Sequence, residues 1–148
     1  MEAIRCESLS KRFGRFLALD SLDLTVERGA AFGFLGPNGA GKTTTLRLFT
    51  GLTDPTGGHV WVTGEDVSGK SLELRSIFGY LPESPAFYGW ITRLEFLHFT
   101  GELYGLGFRD AKTRAVDLLD RVNLTDAADR KVKGYSRRMQ QRLGLAQA

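Results

Sequence analysis

The chain has 148 residues, 42% hydrophobic and 25% charged, which suits one globular core and excludes a disordered chain. A net charge of +3, interspersed over most of the length, gives no reason to expect a nucleic-acid binder. The single cysteine excludes an intrachain disulfide and favours a reducing compartment, and the sequence predicts no secretory signal or membrane span.

The first third of the chain is predicted to be rich in strands. Ile4 to Glu7 and Leu22 to Val26 alternate apolar with polar residues, which is the period of half-buried strands. Cys6 in the first of them is expected to pack as a small hydrophobe. Phe32 to Leu35 is a continuous apolar run, which predicts a fully buried strand.

A glycine-rich loop follows that run directly. It fits the pattern G-x-x-x-x-G-K-[ST]. The alternative is a chance glycine-rich turn before a helix, but the constrained positions of the pattern rarely coincide by accident in a chain of this length. Glycines let backbone N–H groups curl around a phosphate, and the following helix directs its unpaired N–H groups at the same anion. The lysine adds a positive charge, and the first threonine offers its hydroxyl to Mg²⁺. The predicted phosphate-binding residues are Gly36, Pro37, Asn38, Gly39, Ala40, Gly41, Lys42, Thr43 and Thr44.

Short elements are predicted between this loop and residue 85. The helix from Lys42 to about Thr50 is expected to end at Gly51 in a left-handed cap. The remaining elements are a turn over Asp54 to Gly58, a strand over His59 to Val62, a loop over Gly64 to Gly69, and a short buried strand over Ile77 to Leu81 that Pro82 and Pro85 stop.

The rest of the chain is predicted to be helical. Thr92 and Glu95 form a capping box before a helix that runs to Tyr104 and stops at Gly105. A second and a third helix follow. They are expected over Asp110 to about Val122, with Ala115, Leu118, Leu119 and Val122 on one face, and from Arg137 onward behind the N-cap Ser136, with Met139, Leu143 and Ala146 on one face.

From Lys11 onward, the order of these features resembles the ATP-binding subunit of ABC transporters. The loop in the form Gly36-Pro37-Asn38-Gly39-Ala40-Gly41-Lys42-Thr43-Thr44 is characteristic of that family, and the turn over Asp54 to Gly58 is similar to its next feature. The resemblance implies an α/β fold with an incomplete P-loop NTPase core, comprising a β-rich part and a strand-loop-helix, plus a helical subdomain. We expect a partial domain over residues 1–148, divided into a core part (1–85) and a helical subdomain (86–148).

The resemblance also implies ATP and Mg²⁺ as ligands. Phe13 stands where the family stacks an aromatic on adenine, although a core phenylalanine is the alternative. Thr43 and Glu83 are the implied metal contacts. Glu83 occupies the place of the family's glutamine, so its carboxylate contacts Mg²⁺ or a water, or it is an ordinary surface residue. Phe87, Tyr88 and Trp90 are either docking residues for a membrane partner or core.

The family signature falls on Tyr135 to Met139, and this is the largest departure from the family pattern. Ser136 is kept and is expected to contact a triphosphate across a dimer, but arginines replace the glycines at positions 137 and 138. Two cations in a first helical turn oppose the helix dipole, so we expect an anion nearby. Either one arginine contacts the triphosphate, or Arg138 blocks the approach. The basic excess over residues 130–142 is otherwise explained as a solvated helix face.

The resemblance implies an ABC-type ATPase that powers transport. It implies a separate transmembrane permease, a homodimer in the ATP-bound full-length form, no nucleic acid, and a cytoplasmic location on the inner face of the membrane through the permease. The family's metal-binding Asp (Walker B), catalytic Glu and switch His have no counterpart here, since His59 and His98 precede the signature. We therefore expect a C-terminally truncated chain that binds ATP but turns it over negligibly, with no catalytic residue assigned. The alternatives are a non-catalytic ATP-binding module and a small P-loop kinase.

Overall fold

The computed structural model describes residues 1–67, 78–127 and 130–148. The chain forms two compact units, Met1–Phe78 and Gly79–Ala148. The first contains a sheet and the helix after the glycine loop, and the second contains three α-helices. The predicted division of domains after residue 85 remains a prediction.

The first unit is built on a four-stranded antiparallel sheet in the order β2-β1-β3-β4. The strands are β1 (Glu2–Phe13), β2 (Phe16–Glu27), β3 (Gly57–Val62) and β4 (Glu65–Asp66). Cys6 pairs with Leu24 on one side and with Val60 on the other, and it is a free, buried cysteine as predicted. The apolar face of the sheet packs on helix α1 (Lys42–Phe49) through Leu48 and Phe49.

The first two strands are longer than their alternating patterns predict. The alternating pattern does not extend over the rest of each strand, because the strands are irregular there. Ser8 and Ser21 have left-handed backbones (φ 47° and 45°), and the pairing register shifts between Cys6 and Leu9. The Asp23 carboxylate accepts a hydrogen bond from the Ser8 N–H at 2.7 Å and satisfies the displaced backbone there. A bulged strand loses its period of two, so the sequence pattern ends where the first bulge begins.

The buried strand predicted over Phe32 to Leu35 is wrong for this structure. The segment forms no strand and pairs with none of the described strands, and the side chain of Leu35 is 95% exposed. Phe34 alone turns inward, with its ring 6.1 Å from that of Phe49. A continuous apolar run becomes a strand only where another backbone is available to pair with it.

Two further predictions fall partly on residues 68–77, outside the described residues. The loop predicted over Gly64 to Gly69 contains the short strand β4 in its described part. The strand predicted over Ile77 to Leu81 is absent from residues 78–81, and Ile77 itself is not among the described residues.

The second unit contains α2 (Arg93–Leu103), α3 (Phe108–Arg121) and α4 (Arg137–Gln147), with single 3₁₀ turns at Thr125–Ala127 and Val132–Gly134. The predicted capping box is confirmed, since the Thr92 hydroxyl accepts from the Glu95 N–H and the Glu95 carboxylate accepts from the Thr92 N–H. The predicted apolar faces of α3 and α4 lie in one core. Its buried members are Ile91, Phe96, Leu97, Ala115, Leu119, Leu124, Val132, Leu143 and Ala146.

Candidate functional site

The glycine loop wraps around the start of α1 in a conformation that depends on glycine. Gly39 and Gly41 have φ values of 85° and 84°, in the left-handed region that side chains disfavour. A Cβ atom on Gly41 would lie 2.7 Å from the backbone oxygen of Ala18 in β2, so the strand closes the back of the loop. The loop is therefore held open toward solvent by backbone geometry.

The first turn of α1 presents unpaired donors to that loop. Its N-cap is Gly41, which has no side chain to bond the first N–H groups, and the turn contains no acidic residue. Helix starts without a cap are stabilised by an anion, because both the free N–H groups and the helix dipole favour negative charge. The arrangement fits a phosphate group held by backbone N–H groups.

The Lys42 ammonium lies over this loop. Its Nζ donates to the carbonyl oxygens of Gly36 and Pro37, each at 2.7 Å. These oxygens hold the cation at the loop without neutralising it. The positive charge is therefore in place before any ligand arrives.

The hydroxyls that follow the lysine have different environments. Thr43 is exposed, whereas Thr45 is buried and donates to the Gly41 oxygen at 3.0 Å, which fixes the loop to the helix. Among the described residues, no cluster of three His, Cys, Asp or Glu side chains is able to hold a metal ion. The exposed Thr43 hydroxyl is an oxygen of the kind that hard cations such as Mg²⁺ bind.

The aromatic predicted to contact adenine lies at the tip of the β1–β2 hairpin. Phe13 is the last residue of β1, pairs with Phe16 and is 52% exposed, so it is not a core residue. The Lys11 ammonium lies 5.1 Å from the centroid of its ring. Lys11 is not among the predicted site residues, because the strand predicted over Ile4 to Glu7 ends before it.

Glu83 and Ser136 both belong to the second unit. The Glu83 carboxylate lies 3.7 Å from the guanidinium of Arg137, and the Gln141 side chain donates to the Glu83 backbone oxygen. Ser136 is confirmed as the N-cap of α4, with its hydroxyl 3.3 Å from the Met139 nitrogen. The anion expected near the two arginines is thus supplied for Arg137 by the chain itself.

The three aromatic residues expected to be docking or core residues, Phe87, Tyr88 and Trp90, divide between core and surface. Phe87 packs edge to face on Phe96 at 5.1 Å and belongs to the core. Tyr88 and Trp90 are 61% and 70% exposed and contact one another. Of these three aromatics, Tyr88 and Trp90 are the exposed ones.

A buried arginine, which no sequence pattern marks, lies beneath the start of α4. Arg93 is 1% exposed, its Nη1 donates to the Leu124 oxygen at 2.9 Å, and its Cζ lies 3.9 Å from the centroid of the Tyr135 ring. Burial raises the pKa of the Tyr135 phenol, which donates to the Arg130 oxygen at 2.6 Å. Arginine is normally a surface residue, so the hydrophobic pattern of the helix did not predict that Arg93 is buried.

In the described part of the chain, no helix has the length and apolar character needed to cross a membrane.

Comparison with known proteins gives consistent matches over nearly the whole chain. Residues 19–148 match the ABC transporter family. The ABC transporter ATP-binding protein YxlF of Bacillus subtilis (strain 168) is 45% identical over 142 residues, 96% of this chain and 46% of that protein. The daunorubicin resistance ATP-binding protein DrrA2 of Streptomyces coeruleorubidus is 43% identical over 144 residues, 97% of this chain and 45% of that protein.

A solved structure gives the same result at the level of the fold. That of MJ1267, an ATP-binding cassette of an ABC transporter, matches with a TM-score of 0.86 and 26% identity, covering 100% of this chain and 64% of the other. The chain spans about half the length of the curated relatives it matches. It belongs to the ABC transporter family, whose ATP-binding proteins have a P-loop NTPase fold, bind ATP generally with Mg²⁺, and hydrolyse it.

Proposed function

We propose that this chain binds Mg·ATP in the loop from Gly36 to Thr44, as part of an ATPase that drives transport through a separate membrane protein. The observation that carries the proposal is the uncapped start of α1, which has no acidic residue and has the Lys42 ammonium beside it. Two sources of positive potential converge there: the free N–H groups, which form the positive end of the helix dipole, and a cation.

Each group of the loop has a distinct role in this proposal. The N–H groups between Pro37 and Thr44 bind the phosphate oxygens, and the Lys42 ammonium exchanges the two loop carbonyls for β- and γ-phosphate oxygens. The Thr43 hydroxyl is the ligand this unit offers to the metal. Magnesium, when bound, neutralises the charge that develops on the transferred phosphoryl group. Phe13 offers a flat, exposed ring to the adenine.

Glu83 and Ser136 are proposed as the contacts from the second unit. Glu83 would contact the metal or orient a water, and its carboxylate would have to leave Arg137 to do so. Ser136, at the start of α4, would contact the triphosphate held by a second copy of the chain. Transport, the permease partner, the homodimer and the location at the inner face of the membrane belong to the same proposal, by analogy with the family.

The binding test compares two substitutions on α1, one of a lysine and one of an arginine. Lys42→Met removes the cation at the loop, and Arg47→Met removes one from the last turn of the same helix, where the side chain is exposed. Titration calorimetry with Mg·ATP should show affinity about 10- to 100-fold weaker for Lys42→Met, the size expected for one charge-assisted bond to phosphate, and unchanged for Arg47→Met. Equal effects of the two substitutions would contradict the proposed site.

The role of the second unit is tested by dimerisation. Arg138→Gly in a complete subunit removes a bulky cation from the first turn of α4 while leaving the Ser136 cap in place. If an arginine contacts the triphosphate of the second copy, ATP-driven association measured by light scattering should weaken or stay the same. A marked tightening would mean that Arg138 blocks the approach instead.

A further inference from the structure

The Lys11 side chain joins the exposed aromatic at the hairpin tip to the turn after α1. Lys11 and Phe13 are two residues apart at the end of β1, where the pairing with β2 is irregular. The ammonium lies 5.1 Å from the centroid of the Phe13 ring and donates to the backbone oxygen of Asp54. Because the carbonyl fixes the cation, the cation in turn constrains the ring.

Two more hydrogen bonds hold the same part of the hairpin. The Arg12 N–H donates to the Thr56 hydroxyl at 3.0 Å, and the Thr56 N–H donates to the Ser10 oxygen at 2.9 Å. The backbone around Phe13 is therefore attached to the turn that follows the loop helix. The ring itself remains 52% exposed, and among these groups only Lys11 contacts it.

We propose that Lys11 is a positioning residue for the base of the bound nucleotide, acting through Phe13. Its ammonium occupies one side of the ring and leaves the other side for a purine. A cation within about 6 Å of a ring centroid attracts the negative face of the ring and restricts its rotamers. This inference rests on the proposed function, because it requires a nucleotide whose phosphates lie in the loop.

The proposal separates the base from the phosphates, so the test uses one ligand with both and one with phosphates alone. Calorimetry on the 148-residue chain would measure Mg·ATP and Mg·tripolyphosphate with the wild type, Lys11→Met, Lys11→Arg, Phe13→Leu and the Lys11→Met/Phe13→Leu double variant. We expect Lys11→Met to weaken ATP binding roughly three- to sixfold, which is the effect of losing one exposed cation–ring contact. Tripolyphosphate binding should stay unchanged, because this ligand has no base. Lys11→Arg should restore most of the ATP affinity, since it keeps a cation that stacks on rings.

The double variant tests whether Lys11 acts through the ring. It should bind ATP no more weakly than Phe13→Leu alone, because the ammonium has no ring left to position. Thermal unfolding of each variant would report any loss of fold, and a fall in tripolyphosphate affinity would show a structural effect reaching the loop.

Several outcomes would overturn the inference. Additive losses in the double variant would mean that Lys11 acts independently of Phe13, and equal losses for ATP and tripolyphosphate would place its effect at the phosphates. Full ATP affinity in Lys11→Met would exclude a role in binding. Failure of the wild type to bind either ligand would refute the proposed function itself, whereas binding of tripolyphosphate without any gain from adenosine would refute only the role of the hairpin.

Discussion

Replacing Gly41 by alanine should damage the loop through two separable effects. The first is strain, because φ at Gly41 is 84° and a left-handed backbone costs an L-residue about 1–2 kcal/mol. The second is a collision, because the new Cβ would lie 2.7 Å from the Ala18 backbone oxygen. A backbone atom cannot rotate away as a side chain does, so we add roughly 1–3 kcal/mol for the forced displacement.

Two other glycines of the same segment provide matched controls. Gly39 has φ 85° but nothing within 4 Å of an added Cβ, so Gly39→Ala should carry the strain alone, about 1–2 kcal/mol. Gly33 has neither a left-handed backbone nor a neighbour within that distance, so Gly33→Ala should lie within about 0.5 kcal/mol of the wild type. The expected order of destabilisation is therefore Gly41→Ala, Gly39→Ala, Gly33→Ala.

The measurement is urea unfolding of the first unit followed by tryptophan fluorescence. The chain has two tryptophans, Trp61 in β3 and Trp90 in the second unit, so a Trp90→Phe background leaves Trp61 as the reporter. If Gly41→Ala is no less stable than Gly39→Ala, the contact with β2 does not constrain the conformation of the loop. A damaging Gly33→Ala would show that the segment has a different conformation from the one described.

Four further results are expected from local contacts. Lys42→Met should destabilise the ligand-free first unit by about 1–2 kcal/mol in urea unfolding, since two hydrogen bonds to loop carbonyls are lost; an unchanged midpoint would mean the ammonium is free in solution. Burial raises the pKa of the Cys6 thiol, so the contribution of the neutral thiol to stability is complete below the ordinary pKa and is lost as pH rises through the folded pKa. The wild type should lose stability over that alkaline range more steeply than Cys6→Ala, and parallel curves of stability against pH would contradict this. Thr92→Ala should cost the second unit about 1 kcal/mol in thermal unfolding. Hydrogen bonds from the Thr92 backbone N–H and then its hydroxyl lower the pKa of Glu95. The stability from this carboxylate is therefore present above the ordinary pKa and should disappear as pH falls through the folded value, so a Glu95→Gln variant should lose less stability than the wild type over that range.

The features that the sequence predicted correctly are those with local causes. The capping box, the Ser136 cap and the left-handed end of α1 at Gly51 each depend on a few neighbouring residues, and all three are confirmed. Their hydrogen bonds are made within one turn of chain, so a short pattern contains all the information that determines them.

The features that the sequence mispredicted depend on distant backbone. Phe32 to Leu35 has the composition of a buried strand, but no described strand pairs with it. The bulge at Ser8 is set by the carboxylate of Asp23, fifteen positions away, and the burial of Arg93 depends on Leu124 and Tyr135. No local period encodes such contacts, so a sequence pattern predicts them only where it marks both partners.

Two residues of the second unit that we expect to depart from the family pattern lie close together. Glu83 is expected in the place of a glutamine and Arg137 in the place of a glycine, and their charged groups lie 3.7 Å apart. Both side chains are mostly exposed, 89% and 78%, so the pair stabilises the fold by at most about 1 kcal/mol. The carboxylate offsets part of the charge of an arginine in the first turn of α4, where the helix dipole disfavours a cation.

The backbone around Glu83 also lies along α4, which makes this pairing of charges persistent. Gln141 donates to the Glu83 oxygen one turn after Arg137, and a Cβ on Gly144 would lie 2.6 Å from Leu81. The segment and the helix therefore contact one another over two successive turns, through a charge, a hydrogen bond and close packing. Reverting Arg137 to glycine alone would leave Glu83 without its cation, and reverting Glu83 alone would leave Arg137 unpaired against the dipole. Each charge of the pair is therefore expected to reduce, by at most about 1 kcal/mol, the electrostatic cost of the other.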